Sequence, residues 1–223
     1  MTLGIAMTLT DGALLVVDGR QTRPMIAGAP LNDNVNKIHR LAENVAAISF
    51  GVVQATDIAL RQLESLLPTA FSLDEVRSNV DSSVSAGWRY LMTNLAPDVN
   101  RNHPKMRAAL IVGGLVGNQP FIAGVIDRPD GREPAITRTD KFNYYMLGGE
   151  EQRAQDFFAA RAVEAVRNFE AKPGTGVVND LVNALLNGAK ETIRFVEAQE
   201  PDVGGVIHYT LIRKNFPYTT GQL

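Results

Sequence analysis

The sequence predicts an α+β protein, a four-layer αββα sandwich of two mainly antiparallel sheets. Three observations predict it. The elements run strands, two helices, strands, two helices, strand. The strands follow one another through short hairpin-like links, which join antiparallel neighbours and cannot join parallel ones. The helices come in pairs, and each pair can cover one outer face of two packed sheets. Periodicity alone is equally compatible with a two-layer α+β arrangement.

Each element has its own signal. Residues 3–9 form a short apolar run, and Thr10, Asp11 and Gly12 read as a hairpin turn. The continuous apolar stretch 13–18 fits a strand buried on both faces. A loop rich in Gly, Pro and Asn follows, then a strand at 36–41 with Ile38 and Leu41 inward. Glu43 and Asn44 turn the chain into a second buried strand at 45–51. The period then changes. Ile58, Leu60, Leu63 and Leu67 recur at helical spacing, and Pro68 ends that helix. Ser72 and Glu75 have the spacing of a capping box and open a second helix reaching about Leu95. After a polar loop at 96–105, three strands are expected at 107–116, 119–126 and 141–147. Helices at 150–170 and 177–199 and a strand at 204–214 complete the chain.

Composition narrows the function classes. The chain has 223 residues, enough for one domain (1–223) with a sizeable core. A net charge of -2 argues against a nucleic-acid or other polyanion partner. The absence of cysteine excludes disulfides and thiol nucleophiles and fits a reducing compartment. No apolar stretch approaches ~18 residues, so no membrane span is expected. The first residues lack the pattern of an export signal, so a cytoplasmic location is the expectation. His39, His103 and His208 are scattered without ligand spacing, and neither a metal nor a cofactor is expected.

The chemistry concentrates at the start. Loss of Met1 would leave Thr2 with a hydroxyl and a free α-amine on one residue. An α-amine has an ordinary pKa of roughly 7.7–8.0, so its neutral form is accessible near neutrality. A neutral amine beside a hydroxyl is a base beside a nucleophile. Asp18, Lys37 and Gly51 fall at the ends of the next three apolar strands. As a cation, Lys37 would lower the amine's pKa by like-charge repulsion, and Asp18 would hold and compensate it. Gly51, with no side chain, could bring its N–H close to an oxyanion. Taken singly, each of these residues has a plainer role: a turn former, a solvated charge and a hinge.

The opening TLGIAMTLTDGALLVVDGRQT resembles the mature N-terminus of proteasome β subunits and their bacterial relatives. Their pattern is a threonine, a strand, a D-G turn, an apolar strand and D-x-R-x-T. The sixteen positions from Thr2 to Asp18 and the fourteen from Lys37 to Gly51 match that spacing. LGGEEQRAQDFF resembles the family's glycine-rich entry to its third helix, and PDVGGVIHYTLI its last strand. The short Met-Thr start is similar to the minor bacterial homologues of the ancestral β-subunit type.

The resemblance implies an N-terminal-nucleophile hydrolase that cuts amide bonds. It makes Thr2 the nucleophile and, through its amine, the base, with Asp18 and Lys37 tuning it and Gly51 at the oxyanion. Arg20 and Thr22 fall at substrate-binding positions, where the threonine's backbone pairs with an added peptide strand. Glu200 matches the family's late aspartate. Gly148 and Val203 match two serines, so two hydroxyls of the family are missing. The implied partners are a peptide or unfolded protein, further copies of the chain in a ring or related assembly, and a separate ATPase unfoldase. A non-catalytic assembly subunit and an amide hydrolase acting on small molecules are the alternatives.

Overall fold

The structure is a computed structural model and describes residues 2–22, 30–67, 70, 72–95, 100–103, 106–148, 151–171 and 177–223. The described residues form twelve strands and four helices in the expected order, with one strand more at the end. Strands β1 (Gly4–Thr8), β2 (Gly12–Asp18), β3 (Gln21–Thr22), β4 (Pro30–Asn32), β5 (Ile38–Ala42) and β6 (Val45–Gly51) come first. Helices α1 (Val53–Leu66) and α2 (Leu73–Asn94) follow. Then come β7 (Ala108–Val116), β8 (Gln119–Arg128), β9 (Gly131–Arg138) and β10 (Tyr144–Leu147). Helices α3 (Glu151–Glu170) and α4 (Val177–Glu197) precede β11 (Ile207–Arg213) and β12 (Thr219–Gln222).

Two five-stranded sheets, β10-β1-β2-β11-β12 and β5-β6-β7-β8-β9, are antiparallel throughout. Three apolar clusters define four layers. Leu3, Ile5, Leu14 and Val16 of the first sheet pack on Phe158, Leu185 and Ile193 of α3 and α4. Val45, Leu110 and Phe121 of the second pack on Ala59, Leu63 and Val80 of α1 and α2. Between the sheets lie Leu15, Val17, Ile48, Phe50, Ile111 and Ile122. β1 and β2 are therefore buried on both faces, which is why their sequence is apolar without alternation. The two-layer alternative is thereby excluded.

Local signals hold where the chemistry is local. Leu9 N donates to Gly12 O across the Thr10–Asp11 turn. Ser72 and Glu75 form the reciprocal capping box of α2. Trp88 packs half-buried against the outer core of the second sheet.

The differences have physical reasons. β9 was not foreseen because GREPAITR is polar and lies at a sheet edge, with no apolar run to mark it. The same holds for β12, also an edge strand, and for the short β3–β4 pair inside the expected loop. β10 begins at Tyr144, later than the expected 141, because Phe142 has a positive φ of 61° and the chain turns there, with Phe142 N donating to Thr8 O and Thr8 N to Asn143 O. Ile38 and Leu41 are both inward but join different cores, because residues three apart in a strand point to opposite faces. The expected stop at Pro68, the helix start at Glu150 and parts of the loops at 19–34 and 96–105 lie outside the described residues.

Candidate functional site

The β1–β2 hairpin builds the first half of the site. Its register pairs Gly4 with Val17, so Leu3 lies across from Asp18. Asp18 N donates to Leu3 O at 3.1 Å, and Leu3 N donates to Asp18 Oδ1 at 2.8 Å. Thr2 thus lies beside the end of β2, which gives the spacing from Thr2 to Asp18 its structural meaning. The second sheet supplies Lys37, immediately before β5.

Lys37 joins the two halves. Its Nζ donates to Thr2 Oγ1 at 3.0 Å, Asp18 Oδ1 at 3.1 Å and Arg20 O at 2.6 Å. Those three bonds use all three protons of an ammonium. Asp18 is fully buried, and Thr2 and Lys37 are each 8% exposed. The Asp18 carboxylate is matched in turn, since Oδ2 accepts from Arg20 N and Gly204 N, each at 3.2 Å. Burial raises the Asp18 carboxyl above its usual range, against the pull of Lys37 and the backbone N–H groups. Burial likewise lowers Lys37, against the pull of Asp18. A lysine depressed in this way is suited to exchanging a proton with the hydroxyl it touches.

Gly51 closes β6 with φ 97°, a conformation that favours glycine. A Cβ there would lie 1.9 Å from Arg107 O. Val52 N donates to Arg107 O, on the β7 side, whereas Ser49 N donates to Lys37 O on the other. Strand alternation turns Gly51 N–H to the same side as Ser49 N–H, toward Lys37. A cavity of about 280 Å³ opens there, with Thr2, Lys37, Gly51, Val35, Val53 and Asp57 in its wall.

Arg20 and Thr22 also border this cavity. The Arg20 guanidinium is committed internally: to Asp33 Oδ1 at 2.7 Å, to Glu197 Oε1 at 3.0 Å, and to Pro201 O and Val203 O, each at 3.0 Å. It braces the turn around Asp18. Thr22 ends β3, half-buried, across from Pro30 of β4. Glu200 lies half-buried in the turn after α4, and its carbonyl accepts from Val203 N.

At Gly148, where the resemblance has a serine, the geometry accounts for glycine. Gly148 has φ 93°, and a Cβ would lie 1.6 Å from Thr2 O, so no side chain fits there. Val203, at the second serine position, is fully buried in the core under α4.

Some site residues escaped the sequence. His39 meets Ser49 Oγ at 3.0 Å on the cavity wall, and burial lowers its pKa. Ser49 carried a signal in retrospect, since it lies two residues from Gly51 in the same strand. Asp33 and Glu197 had none, because Arg20 reaches them across long sequence separations. Among the described residues, no group of three or more His, Cys, Asp or Glu side chains could hold a metal ion. No described helix is long and apolar enough to cross a membrane.

No protein-family model and no curated protein matches the chain. Among solved structures, it is similar to a mutant of Anbu from Hyphomicrobium sp. strain MC1. That similarity has a TM-score of 0.63 at 18% identity and covers 100% of this chain and 87% of the other. At that identity the likeness speaks to architecture: the chain has the N-terminal-nucleophile hydrolase fold.

Proposed function

We propose that the chain is a threonine-type peptidase of the proteasome kind, working through Thr2 once Met1 is removed. The observation that carries this reading is the 3.0 Å contact from Lys37 Nζ to Thr2 Oγ1, with Lys37 held by buried Asp18. A hydroxyl beside a lysine of depressed pKa is an activated nucleophile.

The hydroxyl oxygen of Thr2 attacks the carbonyl carbon of a substrate amide. Its proton passes to the α-amine, or to Lys37 in the neutral form that burial favours, and then to the leaving amine. The oxyanion of the tetrahedral intermediate lies near Gly51 N–H, an interaction worth most where water is excluded. Collapse releases the amine and leaves an ester on Thr2. Water hydrolyses the ester, giving the acid and restoring the hydroxyl. In this reading the cavity of about 280 Å³ beside Thr2 would take one substrate side chain. The natural substrate in this reading is a peptide or unfolded protein. It would be delivered to an oligomer of this chain, of the minor bacterial type, in the cytoplasm, by a separate ATPase. The whole of 1–223 serves as one catalytic domain.

Thr2→Ala should abolish cleavage of fluorogenic peptides with unchanged thermal unfolding. Retained activity in that variant would refute the mechanism. A second reading, a non-catalytic assembly subunit, draws on Gly148 and Val203, which offer no hydroxyls near the nucleophile. Intact-mass measurement separates the two, because a retained Met1 leaves Thr2 without a free amine.

A further inference from the structure

Glu197 ends α4, with its side chain 24% exposed. Oε1 accepts from Arg20 Nη2 at 3.0 Å and from Gly205 N at 3.4 Å, while Oε2 pairs with Arg194. The carboxylate fills the space above Gly204, where a Cβ would lie 2.1 Å from Oε1. One side chain therefore touches both segments that donate to Asp18 Oδ2, through Arg20 N and Gly204 N. Those segments are tied to each other by Arg20 N donating to Gly204 O at 2.9 Å. The carbonyl of Arg20 also accepts from Lys37. Glu197 thus stands one residue away from both members of the buried ion pair. Asp33, the other anchor of Arg20, is 48% exposed and holds it from the solvent side.

We propose that Glu197 is a positioning residue of the Thr2 site. It pins Arg20 and the Gly204–Gly205 turn so that their backbone N–H groups hold the Asp18 carboxylate against Lys37. Nothing in the sequence marks Glu197 for this role. The proposal rests on the peptidase reading for its function, but the geometry it names can be tested without activity.

The charged groups around Asp18 are Lys37 before β5 and Arg20 on its own turn. His208 on β11 is within electrostatic reach of Lys37. Around Glu197 they are Arg20, Arg194 and, beyond Arg20, Asp33. Removing the charge of Glu197 alone lowers the Asp18 titration midpoint, because a like charge is lost. Withdrawing the contacts raises it, because two N–H donors loosen. The two effects have opposite sign and can be separated.

The experiment uses the full chain and follows the Asp18 carboxyl by ¹³C NMR titration, assigned by its loss in Asp18→Asn. Glu197→Asp keeps the charge and withdraws the reach. It should raise the Asp18 midpoint by about one pH unit. Glu197→Gln keeps the reach and removes the charge, and should leave the midpoint unchanged or lower. Labelling of Thr2 by an electrophilic peptide vinyl sulfone should slow about tenfold in Glu197→Asp and recover in Glu197→Gln. Should Glu197→Asp not fold, Asp33→Ala strips the outer anchor of Arg20 and is expected to move the midpoint the same way by less. A midpoint that does not rise in Glu197→Asp, or in Asp33→Ala where Glu197→Asp does not fold, overturns the proposal. If wild type is not labelled while the midpoints shift as stated, the peptidase reading fails and the positioning role stands.

Discussion

At the scale of single residues, Lys37 carries the most consequence. Its ammonium satisfies Thr2, Asp18 and Arg20 together, and its burial favours the neutral form. Arginine in its place keeps a positive charge but cannot give up its proton. Lys37→Arg should therefore slow acylation of Thr2 by about 100-fold or more. Lys37→Met should do the same and also destabilise the fold by about 3–5 kcal/mol, because Asp18 is left buried and unpaired. Peptide-cleavage rates and denaturant unfolding of both variants separate the chemical role from the structural one. Gly51→Ala is the second residue-scale test. A Cβ would collide with Arg107 O at a positive φ, so β6 must shift where it meets the cavity. The expected result is a lower melting temperature together with lost activity, measured by thermal unfolding and peptide assay.

Elements decide which changes stay local. α2 packs on the outer face of the second sheet, and its side chains contribute nothing to the Thr2 site. Ser72→Ala removes the capping box of that helix and should cost about 1 kcal/mol of stability. The rate at which Thr2 is labelled should not change. Denaturant midpoints and labelling rates measured on the same sample check both halves of that statement. The β1–β2 hairpin is the opposite case. Its two-residue turn sets the register, and the register sets Leu3 across from Asp18. Side chains in a strand alternate between faces, so a one-residue slip in this turn would misplace the nucleophile.

On the scale of the whole molecule, the two sheets share a core that also encloses ionisable groups. Burial lowers the pKa of both His39 and His208. His208 is 6% exposed, and its Nε2 has no hydrogen-bond partner among the described residues. Across the usual histidine range the unfolded chain binds more protons than the folded one. Stability is therefore present above that range and is lost as pH falls through it. Denaturant unfolding should give a lower midpoint at about pH 5.5 than at about pH 7.5. His208→Asn should reduce the difference, because one buried titrating group is gone.

The order of elements, the α2 cap, the buried strands at 13–18 and 45–51 and the placing of Thr2 and Asp18 at the two ends of one hairpin were legible along the chain. Those features rest on local chemistry: an apolar run, a turn residue, a cap, and a spacing counted along one hairpin. Tertiary structure decided the rest. The edge strands β9 and β12 have no apolar face to announce them, and only their neighbours make them strands. Gly148 took its meaning from Thr2 O, and Arg20 from Asp33 and Glu197. Glu197 reaches the site from the end of α4, far along the chain. Contacts of that kind depend on how two sheets and a helix end meet in space, and no periodicity or spacing along the chain encodes that meeting.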